Sequence, residues 1–361
     1  MSDVRYWIGF SLIPHIGAVR VRRLLAYFGD LSTAWQADAA SLRAAGLPKD
    51  ALERLLYVRP RLDLDAELAR ITSAGAQVLT WESPDYPALL QNIEQPPPVL
   101  YVRGSLSSED RWAVAVVGTR SPSAYGKQVT QQIASGLARN GITVVSGLAF
   151  GIDSVAHRAA LEAGGRTLAV LGTGVDLIYP ERHRELAGAI IEQGALISDY
   201  CLGTKPDATN FPPRNRIISG LSLGTLVVEA GIKSGALITL EFALEQGRET
   251  FAVPGNVYNA SSAGTNGAIQ RGEAKLVTRV EDILSELNLT MVAQQSEVRE
   301  IVPESAAEQA LLACLGNEPI LLDELVHAAG LPTATVSSTL CMMELKGMVR
   351  RVDNMSYVLA Y

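Results

Sequence analysis

The chain has 361 residues, 48% of them hydrophobic and 19% charged, with a formal net charge of -7 and a pI near 5.3. That length suits one large core plus one or two small domains, and the acidity argues against a general duplex-coating protein while leaving room for a local basic groove, since charge is screened beyond about 8–10 Å. Three scattered cysteines, four histidines without metal-ligand spacing and no long apolar run argue against a disulfide framework, a metal site or a membrane span, so a cytoplasmic protein without metal or cofactor is expected.

Residues 1–72 are predicted helical. Trp7, Leu12, Ile16, Val19, Leu24, Leu25 and Phe28 recur at helical spacing, punctuated by Gly17, Gly29 and Gly46-Leu47-Pro48. The segment from Leu12 to Gly17 resembles a helix-hairpin-helix element, whose hairpin offers backbone N–H groups to a phosphate. Residues 1–61 hold nine basic and five acidic residues, a difference of +4, so Arg20, Arg22 and Arg23 are expected to add a weak phosphate contact. Residues 73–112 read as a connector, with short strands at 78–81 and 99–102 around the stiff Pro96-Pro97-Pro98.

Residues 113–287 alternate apolar strands with helical stretches. Strands are predicted at 113–117, 142–146, 167–171, 195–198, 225–229, 250–253 and 275–277; helices fit at 125–140, 151–163, 182–193 and 236–246. Several helices end in glycine, as C-caps often do: Gly141, Gly164, Gly194, Gly247. This implies a doubly wound, mostly parallel α/β sheet covered on both faces, with ligands outside the carboxyl ends of its strands. Residues 288–304 read as a polar linker. Residues 305–361 predict three helices (306–315, 321–329, 333–346) and a β-wing, a winged-helix pattern. That unit carries six acidic and three basic residues and no arginine in its third helix, which favours a protein-contact or regulatory module over a duplex reader.

Five loops at predicted strand ends carry the candidate chemistry. Gly118-Thr119-Arg120-Ser121 offers an anion nest and a planar cation, or is an ordinary strand–helix turn. Ser146-Gly147, leading to Gly151, Asp153 and His157, opens a helix that holds a phosphate or merely packs tightly on the sheet. Gly172-Thr173-Gly174 is half of a dinucleotide pattern. Phe211-Pro212-Pro213-Arg214-Asn215-Arg216, preceded by Lys205, reads as a loop before a helix start and combines a stacking ring with phosphate-binding arginines. Ser234-Gly235 adds a hydroxyl and backbone N–H groups, or a plain N-cap. Asp153 and Glu229 are the only acids of interest in these loops, so no catalytic reaction is expected.

As a series, VGTRSPSAYG, SGLAFGIDSVAH, LAVLGTGVDLIYP, FPPRNRIISGLS, SGALIT and GRETFAVPG resemble the DNA-processing protein A (DprA/Smf) family. The resemblance spans roughly Gly118 to Gly272. It implies an extended Rossmann-like core between an N-terminal helical domain (1–72, sterile-alpha-motif or helix-hairpin-helix-like) and a C-terminal winged helix (305–361). It further implies a protein of natural transformation that binds and protects single-stranded DNA, helps load the RecA recombinase and forms a homodimer through the core (73–287). By motif, Arg120 would grip phosphates, Phe211 would stack on a base, and Arg214, Asn215 and Arg216 would shape the pocket. Two departures stand out: no lysine occupies 208–210, leaving Lys205 as the nearest, and Glu181 rather than a basic residue follows Pro180. The alternative is a nucleotide-binding enzyme such as a nucleoside-monophosphate phosphoribohydrolase, for which Gly224-Thr225 and Glu229 are a partial match.

Overall fold

The computed structural model describes residues 3–289, 305–315, 320–345, 349–351 and 356–359. Residues 3–289 belong to one compact unit and the described residues from 305 onward to a second.

The first unit opens with six helices: α1 (Val4–Ser11), α2 (Ala18–Phe28), α3 (Leu31–Gln36), α4 (Ala39–Ala44), α5 (Lys49–Val58) and α6 (Leu64–Ser73). Their starts are set by acidic caps: the side chains of Asp3, Asp30, Asp38 and Asp63 accept backbone N–H bonds at four of the six. Trp7, Ile8, Phe10, Leu24, Leu31, Leu42 and Leu55 are fully buried between them.

The stretch read as a connector with two short strands has both strands, and they widen the sheet. β1 (Ala76–Thr80) and β2 (Val99–Gly104) pair antiparallel, the short helix α7 (Ala88–Gln91) lies between them in sequence, and β2 pairs antiparallel with β6 (Gly194–Ser198). Side chains alternate along β2. Val99 and Tyr101 join the core of the helical region, whereas Leu100 and Val102 join the core of the sheet. One strand therefore fastens the N-terminal helices to the rest.

The remaining strands are β3 (Ala113–Val117), β4 (Thr143–Ser146), β5 (Thr167–Val170), β7 (Gly224–Val227), β8 (Glu249–Ala252) and β9 (Lys275–Leu276). The nine-stranded order is β1-β2-β6-β5-β4-β3-β7-β8-β9, and β6 to β9 run parallel. The connecting helices are α8 (Ala124–Arg139), α9 (Ile152–Glu162), α10 (Arg184–Gln193), α11 (Phe211–Gly220), α12 (Gly235–Glu245) and α13 (Ala263–Gln270); α14 (Val280–Glu286) follows β9. Right-handed crossovers put α8, α9 and α10 on one face and α11, α12 and α13 on the other. The winding reverses at β3, which pairs with both β4 and β7. A crevice must open there, at the carboxyl ends. The extended Rossmann-like, doubly wound sheet expected from the sequence is thus present, with two antiparallel strands added.

In the second unit, helices Ala306–Cys314, Leu322–Ala329 and Thr333–Leu345 enclose Leu311, Leu325, Val336, Leu340 and Met343. Strands Val349–Arg351 and Ser356–Leu359 form the wing, and Ile320–Leu321 pairs with the second of them. The polar segment 290–304 and Lys346 lie outside the described residues.

Candidate functional site

The crevice beside β3 holds a cavity of about 650 Å³. Gly118, Thr119 and Arg120 reach it from the end of β3. Asp153 comes from α9; Phe211, Arg214 and Asn215 from α11; Ser234 and Gly235 from the start of α12. Four of the five sequence loops therefore converge, and Tyr179, Asp207 and Ala208 complete the rim.

The Phe211 segment is not a loop. Asp207 caps a short 3-10 turn, accepting the Thr209 N–H at 2.8 Å, and the turn runs directly into α11 at Phe211. Pro212 and Pro213 sit in the first turn, where their missing N–H groups break no helical bond. Helical spacing then sorts the motif. Phe211, Arg214 and Asn215 (i, i+3, i+4) share a face, while Arg216 points elsewhere. Arg216 instead donates to Asp199 Oδ2 at 2.9 Å and lines a separate cavity of about 170 Å³ with Gly17 and Ala18. The expectation that Arg216 shapes the Phe211 pocket is corrected by this geometry.

The Phe211 ring is braced on three sides. A Cβ added at Gly172 would lie 2.8 Å from its Cδ1, so only glycine lets the ring seat there. Tyr179, 47% exposed, stands 5.8 Å away, ring centre to ring centre. The guanidinium of Arg120 lies 5.8 Å from the ring centre and that of Arg214 5.7 Å.

These two arginines do different work. Arg120 is exposed. Arg214 is 4% exposed and acts as a strut: its Nη1 donates to the carbonyls of Gly147 (3.0 Å) and Val170, and its Nε to Asn215 Oδ1 (3.2 Å). Burial draws its pKa down to about 10, which leaves it charged at neutral pH. Asp153 is the countercharge. Its carboxylate accepts the N–H groups of Gly147 (3.1 Å) and Ala149 (3.3 Å), and burial raises its pKa despite Arg214 and those bonds. A Cβ at Gly147 would sit 2.8 Å from the Arg214 guanidinium. The start of α9 is therefore filled by its own aspartate, and the phosphate expected there has no place. His157, one turn further, bonds through Nδ1 to Thr167 Oγ1 at 2.7 Å rather than to Asp153, and burial holds its pKa at about 3.

The expected anion nest after β3 is also largely spent. Thr119 N–H donates to the Glu229 carbonyl (2.7 Å) and Ser121 N–H to Thr119 Oγ1 (3.2 Å). Glu229 turns away to receive the N–H and Oγ of Ser123, holding the start of α8. Ser146 is fully buried, its Oγ donating to the Val116 carbonyl. Gly174 makes a close approach, since a Cβ there would meet Asp176 Oδ1 at 2.5 Å. Of the Gly172-Thr173-Gly174 pattern, it is Gly172 that touches the site. Lys205 is exposed, one residue before the rim residue Pro206. Tyr179 escaped the sequence reading; its signal was an aromatic beside Pro180 at another strand end.

Residues 77–288 match the family model described as DNA recombination-mediator protein A, and residues 295–355 match the DprA winged helix domain. The chain belongs to the DprA/Smf family. The Escherichia coli protein Smf is 38% identical, with 98% of this chain and 95% of that protein covered. The Bacillus subtilis DNA processing protein DprA is 42% identical over 68% of this chain and 81% of its own length. Among solved DprA structures, that from Streptococcus pneumoniae has a TM-score of 0.70 at 34% identity, covering 79% of this chain and 99% of that one. DNA processing protein A from Helicobacter pylori, whose structure concerns a single-stranded DNA binding mode, has a TM-score of 0.54 at 30% identity, covering 60% and 97%. This DprA/Smf chain is accordingly a DNA-processing protein. Among the described residues no helix is long and apolar enough to cross a membrane, and no cluster of His, Cys, Asp and Glu is arranged to hold a metal.

Proposed function

We propose that the chain binds single-stranded DNA in the cavity at the carboxyl ends of β3 and β7, with a base against Phe211 and a phosphate on Arg120. The observation that carries this reading is a braced, half-buried ring lining the cavity beside an exposed arginine. Stacking tolerates any base, and unpaired bases alone offer their faces, so such a site prefers single strands with little sequence choice. Ser234, Gly235 and Asn215 would contact the strand along the opposite wall, and Lys205 would add charge at the rim. Arg214 positions Phe211 and supports the floor.

Binding without chemistry is the better reading because the three acids of the region are engaged: Asp153 by two amides and Arg214, Glu229 by Ser123, and Asp207 by the N–H and hydroxyl of Thr209. The phosphoribohydrolase alternative would need Glu229 in the cavity, and Glu229 is not among the residues lining it. In the cell we infer a cytoplasmic protein of natural transformation that protects incoming strands and helps load the RecA recombinase. We also infer a homodimer through the core; Leu276, 47% exposed on the terminal strand β9, is an apolar edge that pairing would cover.

The test is a salt-titrated comparison of single-stranded and duplex DNA with wild type and Arg120→Ala. Single strands should bind more tightly, and Arg120→Ala should reduce the slope of log affinity against log salt by about 0.7. Equal affinity for the two DNA forms would refute the reading.

A further inference from the structure

A second cavity of about 540 Å³ adjoins the first and shares Arg120 with it. Its other lining residues are Ser121, Pro122 and Lys127 on one side and Phe150, Gly151, Ser154 and Val155 on the other. No carboxylate lines it, and Arg120 and Lys127 form no ion pair among the described residues. The first cavity, by contrast, has Asp207 at its mouth and Asp153 in its floor.

The aromatic member is Phe150, which is 42% exposed. A buried core phenylalanine would have no such exposure, and a free surface phenylalanine would have no such support. The ring rests edge-on against His183 at 5.1 Å, and His183 is fixed by a 2.9 Å bond from Nδ1 to the Leu148 carbonyl. The backbone carries Phe150 next to Arg120 because Gly151 takes a φ of +81° and presses on the preceding strand-end loop; a Cβ there would lie 2.3 Å from the Thr119 carbonyl oxygen. The arrangement parallels the first site, with a braced ring beside a cation and Arg120 common to both, but here the ring is the more exposed and no carboxylate lines the cavity.

We propose that this second cavity is a subsite for the next nucleotides of the same strand. The chain of DNA crosses Arg120, a base stacks on Phe150, and the intervening phosphates lie between Arg120 and Lys127. This deepens the single-strand reading and rests on it. It also moves the surplus of positive charge: the Phe211 cavity supplies the first stacked base, and the Phe150 cavity supplies much of the salt-sensitive affinity.

The experiment measures binding of labelled oligothymidylates, from about 4 to about 16 nucleotides, to the full chain by fluorescence anisotropy. Wild-type affinity should climb with length as the second cavity fills. Phe150→Ala should remove that gain, about tenfold for the longer strands, while leaving the shortest nearly unchanged. Phe150→Leu retains apolar contact with His183 and should lose most of the same gain, which separates stacking from misfolding. Lys127→Ala, at an exposed position, should lower the salt slope by about 0.7 on long strands only. If Phe150→Leu and Lys127→Ala bind long strands as wild type does while Phe211→Ala is weakened, the second subsite is wrong and the first stands. If Phe211→Ala and Arg120→Ala are also unchanged, the single-strand reading itself fails, and this subsite with it.

Discussion

Helix α11 sends its two arginines toward two cavities of different character. Around Phe211 the cavity is about 650 Å³, its ring is flanked by Tyr179, and the exposed Arg120 has no carboxylate partner among the described residues. Around Arg216 the cavity is about 170 Å³, it sits at the Gly17 start of α2, and its cation is already paired with Asp199 at 2.9 Å. Both combine an arginine with a helix start, which on paper suits a phosphate. The difference teaches that the partner of the cation decides. A guanidinium neutralised by its own chain holds two segments together, whereas an exposed one left unpaired beside a cavity-lining ring is available to a ligand. Two of the N-terminal cations are tethered by neutral backbone carbonyls, which orient them without cancelling their charge. Arg22 donates to the Glu94 carbonyl and covers the Trp81 ring, and Arg20 donates to the His15 carbonyl.

The sharpest way to break the comparison is to remove the strut beneath the large cavity. Arg214→Ala leaves Asp153 buried without its countercharge, and the loss of stability should be about 3–5 kcal/mol in urea titrations. The deficit should shrink in acid. Without the arginine, native Asp153 holds its proton to higher pH than the unfolded chain does, so the variant loses stability as pH rises through that window. A deficit below 1 kcal/mol at neutral pH, or one that grows in acid, would show that Arg214 is not structural.

The second test titrates the same floor. Native His157 stays neutral to about pH 3 because it is buried, while the unfolded histidine titrates near 6.5. The sign is that of a depressed histidine: stability is full above about 6.5 and falls with pH toward about 3 as the unfolded chain takes up the proton. His157→Gln should remove about 2 kcal/mol of the loss seen at about pH 5. An acid limb identical to wild type would place the effect elsewhere.

Phe211→Ala should weaken single-strand binding by about 1–3 kcal/mol with little effect on melting, since the ring lines the cavity and belongs to no core cluster. A large drop in melting temperature with unchanged affinity would reverse its role. At the small end, Arg216→Ala should leave single-strand affinity within about twofold while lowering stability by about 1–3 kcal/mol, because the Asp199 carboxylate loses its partner in a largely buried setting. A clear binding defect there would erase the distinction between the two cavities.

Much of the fold was legible because its signals are local. The parallel strands were placed to within two residues at either end, since most are short apolar runs with a glycine close by, and the winged helix was readable from its helix–turn–helix spacing and wing. In 73–112 the two strands were legible but their pairing was not, because an antiparallel pairing depends on a partner far away: β2 pairs with β6 nearly a hundred residues on. Gly118, Arg120, Phe211 and Ser234 could be picked out as a group because they stand at strand ends of one sheet.

What the sequence determined by itself was the supply of groups: a doubly wound sheet, five strand-end loops on one edge, a ring and several cations within reach of them. Which of those groups remain free was settled only in three dimensions. Asp153 fills the helix start that the sequence offered to a phosphate, Glu229 is turned to Ser123, Arg214 is sealed beneath Phe211, and Arg216 is held by Asp199. The physical reason is that periodicity and turn chemistry act over a few residues, whereas the pairing of a charge depends on whatever the folded chain brings within about 4 Å of it.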